Sequence, residues 1–345
     1  MSAEAVAFAP GRVNLIGEHT DYNGGLALPF AIEQGIEVRA TRTGGDTVEA
    51  LARELGESDT FPLADPPRGA SGWRAFVRGV VAELRAAGHD VPPARIEIGG
   101  GGLPRGGGVS SSAALEVALA YALLALAGDD PGADPLALAQ LCSRVENDWA
   151  RADTGLLDQL AVLLGRTGEA VRIDFESLTW ERVPLALGDW RLALLDSGAA
   201  HDLAASGYNQ RRRECEAAAT ALGIASLRTA TADDAAGLPE PLGRRVRHVA
   251  GENERVDAAV AALARGDAVA LAALLDASHA SLRDLYDASV PEVEATVERA
   301  KQAGAAGARM MGGGFGGVVL ALFPPGAEPP ADALGVFAAA GARIV

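Results

Sequence analysis

The chain has 345 residues, of which 49% are hydrophobic and 22% charged, with a net charge of −16 at neutral pH. That size can bury a substantial core and commonly makes two domains, and the composition excludes wholesale disorder. The negative field argues against nucleic acid or an anionic membrane as partner. No run approaches the ~18 apolar residues of a membrane span, and Met1–Pro10 lacks the basic and apolar regions of a signal peptide. Two cysteines, Cys142 and Cys215, make neither a disulfide framework nor a metal-ligand spacing, which points to a reducing cytoplasm. Lys301 is the only lysine. No lysine follows a glycine loop in the Walker A manner, so a bound nucleotide must have its phosphates held by another route.

In chain order, Ala5–Ala9, Leu26–Phe30 and Ile36–Ala40 read as strands. Between the first two lies Gly11-Arg12-Val13-Asn14-Leu15-Ile16-Gly17-Glu18-His19-Thr20-Asp21-Tyr22-Asn23-Gly24-Gly25. A Glu, His and Asp cluster between glycines suits a sugar, whose paired hydroxyls need carboxylate and imidazole partners in a buried site. The same residue types also suit a polar hairpin facing water. A metal site is weaker, since no second histidine lies at ligand spacing. Asp65–Gly72 reads as a loop, and Trp73, Phe76, Val77, Val80, Val81 and Leu84 recur at helical spacing until Gly88.

A short strand, Arg95–Ile98, leads into Gly99–Gly102 and then Arg105-Gly106-Gly107-Gly108-Val109-Ser110-Ser111-Ser112-Ala113. The following helix, Ala113–Ala127, is apolar nearly all round and therefore buried. Glycines before a helix start let backbone N–H groups approach a phosphate, and the serines can cap the helix or offer hydroxyl oxygens to Mg²⁺. A flexible, serine-capped loop reads the same way. Pro135–Ala150 is a further helix carrying Glu146, and Asp158 follows Gly155; by residue type alone these carboxylates are surface groups.

Val171–Phe175 and Trp190–Leu195 read as strands, and Tyr208–Leu222, Asn253–Ala264, Ala268–Leu282 and Pro291–Ala303 as helices. Arg211–Arg213 reads as a solvated face. Met311-Gly312-Gly313-Gly314-Phe315-Gly316-Gly317 precedes a strand, Val318–Phe323. That many glycines mean backbone passing close to another segment or to a ligand. Strands and helices without strict alternation favour an α+β fold over a doubly wound one. A divide near Glu176–Leu178 separates residues 1–177, with the acidic cluster and the glycine–serine loop, from 178–345, with the third glycine motif.

The three motifs, in this order, resemble the galactokinases of the GHMP small-molecule kinase superfamily. Gly11–Gly25 is similar to the galactokinase signature. The second motif resembles the superfamily's Pro-x-Gly-x-Gly-Leu-Ser-Ser-Ser-Ala loop, with Val109 for Leu, and the third its Gly-Gly-Gly-Phe-Gly-Gly motif. Tyr208-Asn209 with Arg211–Glu216, Glu252–Val256 and Ser278-His279 with Ser281–Asp284 also look like galactokinase segments.

The resemblance implies two α+β domains with the active site in the cleft between them, and transfer of the γ-phosphate of ATP to the C1 hydroxyl of galactose. It implies that Arg12 stabilises the transition state and that Asp158 is the base. Glu18, His19, Thr20, Asp21, Gly155 and Tyr208 would meet galactose. Gly106, Gly107, Gly108, Val109, Ser110, Ser111 and Ser112 would cradle ATP, and Ser112 and Glu146 would hold Mg²⁺. Three departures stand out: Arg151–Thr154 before Gly155, Arg105 inside the phosphate loop, and Val318 where Cys is common. A superfamily kinase of another alcohol is the nearest rival, and the Glu18–Tyr22 cluster favours galactose against it. A non-catalytic galactose and ATP sensor is the second rival, opposed by the joint presence of Ser112, Ala113, Glu146 and Asp158. Nothing in the sequence points to an obligate protein partner.

Overall fold

A computed structural model describes residues 3–103, 108–151, 154–199 and 204–345. The first half runs β1 (Glu4–Asn14), β2 (Leu26–Ala27), β3 (Pro29–Arg42), β4 (Thr47–Ala52), β5 (Glu57–Pro62), α1 (Trp73–Ala86), β6 (Ala94–Gly99), α2 (Ser111–Ala127), α3 (Pro135–Arg144), α4 (Leu157–Leu164), β7 (Glu169–Asp174) and β8 (Thr179–Pro184). The second runs β9 (Arg191–Asp196), α5 (Ala204–Leu222), α6 (Leu242–Ala264), α7 (Ala268–Asp284), α8 (Pro291–Gln302), β10 (Gly307–Met310), β11 (Val318–Phe323), β12 (Leu334–Val336) and β13 (Arg343–Ile344). The fold is α+β.

Three sheets organise it, in orders β13-β1-β3-β6-β4-β5, β10-β11-β9-β12 and β2-β7-β8. The expected strand Leu26–Phe30 is two strands in different sheets. Leu28 marks the break, its N–H donating to the Ile16 carbonyl and its own carbonyl accepting from Leu15. That pairing closes the Gly11–Gly25 segment into a compact loop. The proposed divide at residue 177 falls in the turn between β7 and β8, which pair with each other, while β13 returns to pair with β1.

The helix read from Ala113 begins at Ser111 and is buried along almost its whole length. It packs beneath the first sheet, where each fully buried Val or Leu contributes about 1.5–3 kcal/mol. Pro135–Ala150 is not one regular helix. It is α3 followed by a π turn over Val145–Trp149, and π turns concentrate at functional sites. Helix α6 starts at Leu242, eleven residues before the expected Asn253. Its buried stripe includes Arg245, His248, Glu252 and Asn253, so a search for apolar periodicity passes over it. Strands β4, β5, β8, β10, β12 and β13 went unread because they are short or exposed on one face. Among the described residues no helix is long and apolar enough to cross a membrane.

Candidate active site

The site forms where the two halves meet. Arg12, on β1, makes a bidentate pair with Asp158 at the start of α4, at 2.8 and 3.2 Å. Its third nitrogen donates to the Gly108 carbonyl at 2.7 Å. One guanidinium thus joins the candidate base to the glycine–serine loop. Asp158 sits in the first turn of α4.

Ser110 is the residue before α2, in the left-handed region at φ 58°. The expected serine cap is absent, because the Ser110 hydroxyl hydrogen bonds Asp158 instead. Among the described residues the first N–H groups of α2 therefore lack a side-chain partner, which is the arrangement that receives an anion. Gly108 also has positive φ, 62°, and Val109 is buried with its carbonyl accepting from Arg12 N–H. Gly106 and Gly107 lie outside the described residues, as do Arg105 and the Ala152-Asp153 pair of the departure before Gly155.

Glu146, on the π turn, is buried rather than a surface acid. It accepts hydrogen bonds from Ser112 Oγ, Thr154 Oγ1 and Gln159 Nε2, each at 2.8 Å. Burial first, and then the nearby Asp158 charge, push its carboxyl above the usual range. Its three donors are neutral. A buried carboxylate held by neutral donors beside a hydroxyl oxygen and the open end of α2 suits a hard cation that completes its shell with phosphates and water. Among the described residues no three-residue His/Cys/Asp/Glu cluster could hold a metal alone.

Across the cleft, Glu18 accepts from Gly312 N–H at 2.8 Å, on the third glycine motif, and pairs with Arg309 at 2.9 Å. Arg309 is solvent-free and also donates to the Asn14 and Leu15 carbonyls. Asp21 faces Gly155 so closely that a Cβ there would collide with its carboxylate. Burial, then the Asp158 and Glu18 charges, raise the Asp21 carboxyl to about 7. His19 is driven to about 3, chiefly by burial and next by His248, and so is neutral. Tyr208, on α5, lies 5.3 Å from the His19 ring between centroids, and a Cβ on Gly313 would come within 2.9 Å of it. Thr20 is fully buried, with its hydroxyl 2.9 and 2.7 Å from the Gly17 and Leu26 carbonyls. It braces the loop from inside.

Sequence reasoning marked Glu252–Val256 by resemblance without giving it a role, and passed over His248 and Arg309. Glu252 accepts from Gly17 N–H and Ser278 Oγ, Asn253 accepts from Leu26 N–H, and His248 contacts the Glu18 carbonyl. The signal for Arg309 was a charge inside the otherwise apolar strand Gly307–Met310. It also missed a small apolar cleft of about 120 Å³ lined by Ile36, Trp73, Leu103 and Ser111 among others, beside the start of α2. One expectation of a solvated face needs correction. Arg211 is buried, pairing with Glu214 at 2.8 Å. Lys301 donates to Asp276 and to the Ala306 carbonyl, tying α8 to α7.

A nucleotide-receptive helix start, a carboxylate beside an arginine, and a C-terminal glycine loop closing on them define a small-molecule kinase of the GHMP class. Family models for the GHMP kinase N-terminal and C-terminal domains match residues 75–166 and 259–342, and the galactokinase galactose-binding signature matches residues 1–42. The chain is 43% identical to a galactokinase of Roseiflexus sp., over 91% of this chain and 82% of that one. It is 39% identical to a galactokinase of Thermotoga neapolitana, over 92% and 89%. The solved galactokinase of Lactococcus lactis complexed with galactose superposes with a TM-score of 0.89 at 31% identity, covering 99% of this chain and 95% of that one. A mevalonate kinase of Methanococcus jannaschii, at 16% identity and TM-score 0.69, shares the fold. The chain belongs to the galactokinase family.

Proposed function

We propose that this protein is an ATP-dependent sugar kinase that phosphorylates the C1 hydroxyl of galactose, giving galactose 1-phosphate and ADP. The observation that carries this reading is the Asp21 carboxylate, against Gly155 and close enough to feel the Glu18 and Asp158 charges, while Ser110 joins Asp158 to the start of α2. Glu18, His19, Asp21, Gly155 and Tyr208 surround the sugar, and Thr20 holds their loop. Gly106–Ser112 and the α2 dipole hold the phosphates, with the apolar cleft at Trp73 receiving the base. The substrates lie between the N-terminal part, with the acidic loop and the glycine–serine loop, and the C-terminal part, with the third glycine motif, and the enzyme works in the cytoplasm without an obligate protein partner.

Phosphoryl transfer asks mainly for positioning and charge stabilisation. Asp158 takes the proton of the attacking hydroxyl. Arg12 orients that carboxylate and offsets charge on the transferring group. Ser112 and Glu146 would hold Mg²⁺, which supplies charge neutralisation at the phosphates. The direct test is ATP-dependent phosphate transfer across galactose, glucose, N-acetylgalactosamine and mevalonate. Turnover with galactose and little with the others is expected; absence of turnover with galactose sinks the reading.

The metal assignment has its own test. Ser112→Ala and Glu146→Ala are each expected to shift the Mg²⁺ titration of activity to higher concentration, about 10- to 100-fold when a ligand or its orienting partner is lost. Superimposable titrations for wild type and both variants would refute it.

A pH dependence follows from Asp21. Its carboxyl is raised to about 7, so below that pH it is protonated and cannot accept from two sugar hydroxyls as a carboxylate does. Galactose kcat/KM, which reports the free enzyme, should fall about tenfold per pH unit on the acid side. A profile flat down to about pH 5, well under the ordinary histidine range, would show that the proton on Asp21 does not matter.

A further inference from the structure

Behind the sugar-facing loop, four side chains form a line of hydrogen bonds that runs from the buried Cys215 through the half-buried Tyr22 to the buried His19. Cys215 Sγ lies 3.0 Å from the Tyr286 hydroxyl, which lies 2.8 Å from the Tyr22 hydroxyl, which lies 2.8 Å from His19 Nδ1. Tyr286 is solvent-free and Cys215 nearly so. The Tyr286 ring is sandwiched between two imidazoles, 4.6 Å from His19 and 4.2 Å from His248 between centroids, with the Arg245 guanidinium 5.4 Å from its centre. His19 itself has φ 61°, a conformation that strains a non-glycine residue and persists only where the surroundings enforce it.

A neutral imidazole carries one ring proton, and the partner of one nitrogen decides which nitrogen bears it. The neighbouring His248 shows the rule plainly. Its Nε2 faces the Glu18 carbonyl, which can only accept, so its Nδ1 must accept from Ser281 Oγ. His19 repeats the pattern, with a hydroxyl on Nδ1. Its Nε2 has no hydrogen-bond partner among the described residues, so a proton there is left for an incoming acceptor. A bare Nε2 lone pair would add another acceptor to a loop that already carries the Glu18 and Asp21 carboxylates.

We propose that the Cys215–Tyr286–Tyr22 line holds His19 as the neutral Nε2–H tautomer, so that the ring offers the sugar a hydrogen-bond donor beside the Asp21 acceptor. Tyr22, Tyr286 and Cys215 are then positioning residues for galactose, acting through His19. This rests on the galactose reading above.

The test uses full-length enzyme labelled with ¹⁵N-histidine, the His19 signals being assigned from their loss in His19→Gln. The wild type should show a protonated Nε2 and an unprotonated Nδ1. Tyr286→Phe keeps the ring between its two histidines and removes one hydroxyl. It should move the His19 signals toward a mixture of tautomers and raise galactose KM about three- to tenfold, the worth of one hydrogen bond. The KM for ATP should not change, and kcat should change less than about twofold, since the reacting groups are untouched. Cys215→Ser restores a donor at the end of the line and should behave as wild type. If Tyr286→Phe does not fold, Tyr22→Phe, one hydroxyl nearer His19, gives the same readout. An Nδ1–H tautomer in the wild type overturns the proposal. So does a Tyr286→Phe enzyme, or Tyr22→Phe in its place, with unmoved His19 signals and unchanged galactose KM. Wild-type enzyme inactive on galactose would instead overturn the function, while the nitrogen signals still decide the tautomer.

Discussion

Asp158→Asn is expected to lower turnover by at least the ~10²-fold typical of a lost general base, while galactose still binds. The amide keeps the shape of the side chain and can still accept from Arg12, which is also tethered to the Gly108 carbonyl. What it loses is basicity. The effect should therefore fall on kcat, and the galactose KM should move by no more than about threefold, the scale of one weakened neutral hydrogen bond. Single-turnover measurements separate the two. Near-normal turnover would leave Asp158 the task of orienting Arg12 and Ser110, its other contacts, and the hydroxyl proton would have to leave by another path.

Gly108→Val is expected to abolish ATP binding. Gly108 has φ 62°, where a non-glycine residue is strained by about 1–3 kcal/mol, and a β-branched one is a rare outlier there. Each 1.4 kcal/mol is about tenfold in affinity. A free loop that relaxes this strain must take it up again to bind ATP, which is worth up to roughly 150-fold in affinity, and the valine side chain also enters space that the phosphates need. The loop would also lose the carbonyl position that receives Arg12. The paired control is Lys301→Ala. The ammonium is committed to Asp276 and Ala306 on the far side of α7, so its removal should cost some stability and leave ATP KM and kcat within about twofold. ATP titrations of both variants decide the matter. A tolerant Gly108→Val, or a large loss of ATP affinity from Lys301→Ala, would place the phosphate site elsewhere.

How far this was legible in the sequence differs from residue to residue. The strand Val318–Phe323 and helices α1, α7 and α8 were readable almost to the residue, because their patterning is apolar and local. Helix α6 was half lost, because its buried stripe mixes Arg245, His248, Glu252 and Asn253 with Val246, Val249 and Val256. Those polar groups are tolerable inside only because each finds a partner on another segment: Glu214, the Glu18 carbonyl, Gly17 N–H and Leu26 N–H. No rule that reads neighbours along the chain can foresee a partner 31 residues away, still less three that lie more than 200 residues away. The same limit made Glu146 and Asp158 look like surface acids and Arg211 like part of a solvated run. Their burial comes from what packs over them.

The sequence by itself determined the chemistry on offer: three glycine motifs, one acidic and histidine-bearing loop, one arginine ahead of it, and no lysine to hold phosphate. Glycine placement and residue type are local properties, and local properties survive in a string of letters. The tertiary structure alone decided which of these groups meet. It brought Arg12 onto Asp158 across 146 residues, and turned Ser110 from a helix cap into a partner of that carboxylate. It also buried Arg309 against Glu18 and aligned Cys215, Tyr286 and Tyr22 behind His19. Each of these is a contact between distant segments, and its energy depends on the desolvation and geometry that only the packed chain creates.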